Sequence, residues 1–339
     1  MEHVINAIKN KEDCKLKIKK IVLIMLVIII VIGIVALLLK GGTKKSNNAK
    51  LHIVSSNFAS YDFLRAIIGD NKEIDLIFLV GPGKDAHSYD PTASDLIKIQ
   101  DSDLFIYVGG EMEKWAEKVI GAISTQNTKI VCIADYIDKI EEKEVDGAEE
   151  ENDNEDDNHV EGAFDEHIWT SPANAIKMID KLEETMEEID SENDLIYREN
   201  ADKYIDEIKK VDDSIQEIVN NKVRNRLIFA DKMPMQYFID YYNLEVSAAF
   251  NGCSTETDPS ASTIAYLISK AKEEKVPVIL YIELNPGTVA KTIADEIGNG
   301  CETMQIQTLH NVSLDDFKNG ETWVSLMNRN LDVLKKALQ

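Results

Sequence analysis

The chain has 339 residues, 44% of them hydrophobic, and a formal net charge of −24. That is enough apolar content for a large core divided over two domains. The charge excludes nucleic acid and anionic lipid as partners, because both would be repelled.

Lys15, Lys17, Lys19 and Lys20 close the segment 1–20, and an apolar run interrupted only by Gly33 follows over 21–39. At 1.5 Å per residue the run spans about 28 Å, close to the ~30 Å hydrocarbon core of a bilayer. The lysines before it predict a cytoplasmic N-terminus, which would place His3 and Cys14 inside. The run is longer than a signal-peptide core, has no small-x-small cleavage site and no cysteine at its end for lipid attachment. It reads as an uncleaved transmembrane signal-anchor, single-pass, with the remainder extracytoplasmic. The polar stretch 40–50 reads as a flexible stalk.

Short apolar runs at 51–55, 74–80, 104–108 and 129–134 alternate with helical patterns at 61–68, 92–99 and 112–123. The alternation predicts an N-terminal α/β lobe over 51–172 with a mostly parallel sheet covered on both faces. His52 and Cys132 fall in strands and read as packed side chains. Residues 141–161 are acidic, with one lysine, no aromatic residue and His159. They are expected to form a disordered loop whose carboxylates favour hard cations, or a merely solvated insertion. The segment 173–222 has the period of a long amphipathic helix or helical pair, interrupted at 191–193.

The second half repeats the alternation, with strands at 227–230, 245–250, 276–282 and 304–309 and helices at 235–242, 260–273, 289–297 and 321–338. It predicts a C-terminal α/β lobe over 223–339. In open parallel sheets ligands sit beyond the carboxyl ends of the strands. Those ends carry Asp231 and Lys232, then 251–257, then Glu283 to Asn285, then His310 and Asn311. Cys253 and Cys301 lie in this exported half, where a disulfide is one option. C-x-x-C and zinc-finger spacings are absent.

Two segments carry the chemistry. Pro82-Gly83-Lys84-Asp85-Ala86-His87-Ser88-Tyr89-Asp90-Pro91-Thr92 and Asp165-Glu166-His167-Ile168-Trp169-Thr170-Ser171-Pro172 each place one histidine on a loop stiffened by Gly or Pro. An imidazole on such a loop loses little freedom when a metal arrives. Spacing alone does not distinguish such a site from two unrelated surface histidines.

The two segments resemble the solute-binding receptors of zinc and manganese ABC importers, the family called cluster A-I. The resemblance runs from about residue 51 to the C-terminus. There the pattern P-G-x-x-x-H-S-Y-x-P-T supplies a first metal ligand and D-x-H-x-W-x-S-P a second, which fall here on His87 and His167. The resemblance implies two lobes joined by a rigid helical spine, here 173–222, and a metal cleft between them. It also implies a monomer that hands a divalent metal to an ABC permease on another chain. Members in single-membrane bacteria are often lipoproteins, so a signal-anchor is a departure, and where members often carry a His-rich loop this chain has the acidic 141–161.

The remaining ligands depart as well. The position that relatives fill with His or Glu falls on Lys232, whose ammonium cannot ligate. A further Asp, aligned on Glu283, falls on Gly287. Glu256 is then the first candidate to complete the site, with a helix-capping carboxylate as the other reading. Glu283 is second, with pairing to Lys232 as its alternative, and His310 is third, with a structural role as its alternative. Two imidazoles with a carboxylate or water suit Zn2+, and Mn2+ is the alternative wanting more oxygen. The chain is expected not to be an enzyme, since no H-E-x-x-H pairs a base with a metal. A surface adhesin of the same fold, having lost transport, is the other function the departures allow.

Overall fold

The computed structural model describes residues 50–149, 164–252 and 258–339, in which two α/β lobes each carry a four-stranded, wholly parallel sheet. The N-terminal lobe comprises β1 (Leu51–Ser55), α1 (Phe58–Ile68), β2 (Ile74–Phe78), α2 (Ala93–Gln100), β3 (Leu104–Tyr107), α3 (Lys114–Ala122) and β4 (Lys129–Cys132). Its strands lie in the order β2-β1-β3-β4. The C-terminal lobe comprises β5 (Arg226–Lys232), α6 (Gln236–Tyr241), β6 (Glu245–Phe250), α7 (Ala261–Glu274), β7 (Val278–Ile282), α8 (Thr288–Ile297), β8 (Glu302–Ile306), α9 (Leu314–Lys318) and α10 (Trp323–Leu338). Its order is β6-β5-β7-β8. The central strands β1, β3, β5 and β7 carry buried apolar residues at their middles, such as Ile53 and Val54, Leu104 to Ile106, Leu227 to Phe229 and Val278 to Leu280, because helices cover both faces of the sheets.

Local chemistry starts the helices where the chain needs them. Asn57 accepts the Ser60 N–H to open α1, Thr92 and Asp95 form a capping box at α2, and Ser260 and Ser313 cap α7 and α9. Pro172 opens α4 (Pro172–Ile189), where its missing N–H costs nothing. After a short 3-10 turn at Ser191–Asn193, α5 (Asp194–Asn220) continues, and it packs on α1, α4 and α10. Tyr204 of α5 donates its hydroxyl to the buried Asp62 of α1, which also accepts the Trp323 N–H at the head of α10. One apolar core therefore runs through both lobes and the helical pair, from Ile53 and Phe63 past Ile208 to Phe229 and Leu334.

The acidic segment departs from expectation. Residues 141–149 are ordered as a strap, with most side chains exposed, that leaves the N-terminal lobe and hydrogen-bonds onto the C-terminal one. The Ile140 N–H donates to the Tyr237 hydroxyl at 3.2 Å, the Lys143 N–H to Gln236 at 3.0 Å and the Val145 N–H to Asn251 at 2.8 Å. Asp146 bridges to Ser247 of the edge strand β6 and accepts from Arg226 at 2.8 Å, and its carbonyl accepts the Ala248 N–H. Lys143 pairs with Asp240, and Val145 is buried in the core. Charges that read as solvated thus have partners on the other lobe, and one valine supplies the apolar anchor. Residues 150–161 of that segment lie outside the described residues, as do the 21–39 run, His159, Cys253 and Glu256. Among the described residues no helix is long and apolar enough to cross a membrane. Cys301 is a free thiol, and its proposed partner Cys253 lies outside the described residues.

Candidate metal centre

His87 lies in the loop after β2, where Gly81 and Gly83 take positive φ values of 79° and 73° and turn the chain back toward the cleft. Its N–H donates to Asp85 Oδ1 at 2.8 Å, which fixes the local turn. His167 sits just before the 3-10 turn Ile168–Thr170 that leads into α4. Its N–H and its ring Nδ1 both lie against Asp165 Oδ1, at 2.7 and 3.0 Å. A carboxylate only accepts, so Nδ1 carries the proton and Nε2 keeps its lone pair. Trp169 stands edge-on to this ring at 5.4 Å, and its indole N–H donates to the Thr308 carbonyl at 3.0 Å.

The third member of the cluster is His310, beyond β8. The ligating atoms of His87, His167 and His310 all lie within 4.8 Å of one another. The ring centroids are 5.0 Å apart for His87 and His310, 5.7 Å for His167 and His310, and 5.9 Å for His87 and His167. Nε2 of His87 and Nε2 of His310 are buried without a hydrogen-bond partner. Buried polar atoms are rarely left so, and two convergent ones mark a place for an external partner. Burial, then the neighbouring His310 and His167 rings, hold His87 far below the ordinary imidazole range against the opposing pull of Asp85. Burial, then His167 and Lys232, do the same to His310. Both rings are therefore neutral near pH 7, the state in which imidazole ligates.

The structure brings His87 and His167 together as the two motifs suggest, and it reorders the rest. His310, the last of the three further candidates, is in the cluster. Glu283 is not, and it does not pair with Lys232. Its buried carboxylate instead accepts from Thr308 and from the His310 N–H. Gly287 caps α8 with φ 71°, and a Cβ there would meet the Tyr281 ring at 3.1 Å, so an aspartate at that position would be strained and would have to displace the ring. Lys232 ends β5 within electrostatic reach of His87 and His310, and among the described residues it has no ion-pair partner. The signal that would have raised His310 is its place one strand beyond Glu283, since β7 and β8 are neighbours and their ends open on the same side.

Comparison with known proteins identifies the family. The chain is 29% identical over 299 residues to the high-affinity zinc uptake system protein ZnuA of Bacillus subtilis, covering 88% of this chain and 90% of that one. It is 28% identical over 303 residues to the zinc-binding lipoprotein AdcA of Streptococcus pneumoniae, covering 88% of this chain but spanning only 58% of the length of AdcA. Among solved structures it superposes on the metal-dependent lipoprotein YcdH of Bacillus subtilis with a TM-score of 0.70 and 27% identity, covering 85% of this chain and 99% of that one. It superposes on the Zn(II)-bound ZnuA-like domain of Streptococcus pneumoniae AdcA with a TM-score of 0.69 and 26% identity, covering 86% and 99% respectively. A family model matches residues 53–337, and the chain belongs to that family, ZnuA, the periplasmic component A of the zinc-uptake complex.

Proposed function

We propose that this chain is the extracytoplasmic solute-binding component of a metal ABC importer, capturing Zn2+ between its lobes for delivery to a permease, with Mn2+ as the alternative cargo. The observation that carries the reading is the convergence of three imidazoles, from three separate loops on two lobes, with ligating atoms within 4.8 Å of one another. A tetrahedral zinc with Zn–N of about 2.0–2.1 Å holds its nitrogens about 3.4 Å apart, so small ring rotations bring the three onto one ion. Three nitrogen donors favour zinc over the oxygen-seeking manganese. Two zinc-binding relatives of the same family support the same cargo.

His87, His167 and His310 are the proposed ligands, and Glu256 the carboxylate that completes the set in the fourth position. The 21–39 run is the proposed membrane tether, with the metal-binding lobes outside the cell. The protein acts as a monomer and catalyses nothing. Isolation of a mature protein that begins near residue 41 would refute the tether.

The test of the function is a zinc titration of the full chain, by competition with a chromogenic chelator and by native mass spectrometry. One zinc per chain is expected. His87→Ala, His167→Ala and His310→Ala should each weaken binding by at least about tenfold, since loss of a ligand costs no less than loss of its supporting partner. Retention of wild-type affinity by all three variants would refute the reading.

A further inference from the structure

Glu283 stands one residue beyond β7, buried to 7% exposure, with both carboxylate oxygens in use. Oε2 accepts the Thr308 N–H at 2.8 Å, and Oε1 accepts the Thr308 hydroxyl at 2.7 Å and the His310 N–H at 3.0 Å. No basic side chain pairs with it among the described residues. The turn that it grips contains Leu309 at φ 59°, a left-handed conformation that a leucine adopts only where its surroundings impose it. Oxygens that accept from residues 308 and 310 fix the peptide planes on either side of that residue, and so the direction in which the His310 ring leaves the backbone.

The same turn is tied to the other two histidine loops. The Thr308 carbonyl accepts the indole N–H of Trp169, two residues past His167. The Asn311 amide donates to the carbonyls of Lys84 and Gly81, and the Gly83 N–H donates to the Val312 carbonyl at 2.8 Å, all in the loop that carries His87. Each lobe's contribution to the centre therefore meets at residues 308–312, and one carboxylate anchors that meeting point.

We infer that Glu283 is a positioning residue for metal binding: it holds the 308–312 turn so that His310 faces His87 and His167, and it sets the affinity of the centre without touching the ion. The inference rests on the metal-receptor reading above and assigns a new role within it. A carboxylate is required because all its partners are donors. Glutamine would keep one accepting oxygen and turn an amide NH2 toward a Thr308 donor.

The test is Glu283→Gln in the full chain, with zinc affinity measured by chelator competition and Co2+ used as a spectroscopic probe of ligand geometry. Zinc binding should weaken by about 10–100-fold, the range found when the partner supporting a ligand is removed. The ligand-field band of the Co2+ form should also shift. Glu283→Asp, which restores the charge at a shorter reach, should recover part of the affinity. A residue that only supports the fold would lower the melting temperature and leave the Co2+ band unchanged. Wild-type zinc affinity with an unchanged Co2+ band in Glu283→Gln overturns the inference. Should that variant not fold, Thr308→Val removes one donor to Oε1 and should weaken zinc binding several-fold, and unchanged affinity there overturns the inference equally. His310→Ala separates the two levels. If it leaves zinc binding intact while His87→Ala and His167→Ala do too, the metal-centre reading fails; if it alone leaves binding intact, His310 is no ligand and the role of Glu283 fails with it. If it abolishes binding while Glu283→Gln does not weaken it, only the role of Glu283 fails.

Discussion

Replacing Val145 and Asp146 together by alanine should destabilise the protein even though both lie in a segment whose composition reads as unstructured. Val145 is buried at 9% exposure, and truncating it removes two methyl groups from a packed core, at a cost of about 1–2 kcal/mol. Asp146 accepts from Arg226 at 2.8 Å, from Ser247 at 3.2 Å and from the Tyr266 hydroxyl. Its side chain is 44% exposed, so solvent screens these bonds and about 1 kcal/mol is a fair sum for all three. Arg226 keeps Glu245 as a partner, which limits the loss. The total is about 2–3 kcal/mol, which for a protein of this size corresponds to about 4–10 °C in melting temperature. Differential scanning calorimetry of the metal-free protein measures it, and limited proteolysis should show cleavage within 141–149 rising in parallel. A shift within about 1 °C of wild type would mean that the strap contributes no stability, and the packing argument would fail.

Two further outcomes follow from the charges around the centre. His87 and His310 are held below their ordinary value of 6.5, so below that pH the unfolded chain takes up protons that the folded chain refuses. Stability of the metal-free protein should be fully present above about pH 6.5 and fall as the pH drops toward 4, and the fall should be smaller in a His87→Ala/His310→Ala double variant. Equal pH dependence in the two proteins by thermal melts would contradict this. Lys232→Met removes a positive charge within reach of both rings and should tighten zinc binding about tenfold, or about 1–2 kcal/mol at an effective dielectric near that of a protein surface. Unchanged or weaker affinity in a competition titration would show that the ammonium is turned away or balanced.

The parallel sheets and the two helices between them were legible because β-branched runs bounded by turns alternate with amphipathic stretches, and both signals are local. His87 and His167 were legible because each is embedded in a long motif. His310 was legible only as the last of three further candidates, since its loop carries no pattern of its own and its place beside His87 and His167 arises from the adjacency of β7 and β8, which is set by the sheet rather than by spacing along the chain. Glu283 was misjudged for the same reason. A carboxylate at a strand end reads as a ligand or an ion pair, and only the fold shows that backbone N–H groups meet it first. The strap was missed because composition counts charges without their partners. Asp146 and Lys143 find Arg226 and Asp240, which lie 80 and 97 positions away.

The edge-on contact between Trp169 and His167 has a practical consequence. The indole is fully buried, its N–H is engaged by the Thr308 carbonyl, and its ring lies 5.4 Å from an imidazole proposed to bind the ion. An ion on His167 places a double positive charge beside that chromophore, where the low dielectric leaves its field largely unscreened. The emission of Trp169, one of three tryptophans in the chain, should therefore change with occupancy of the proposed site. Paramagnetic Mn2+ and closed-shell Zn2+ at the same position should leave different fluorescence lifetimes, so the identity of the cargo is readable from unlabelled protein.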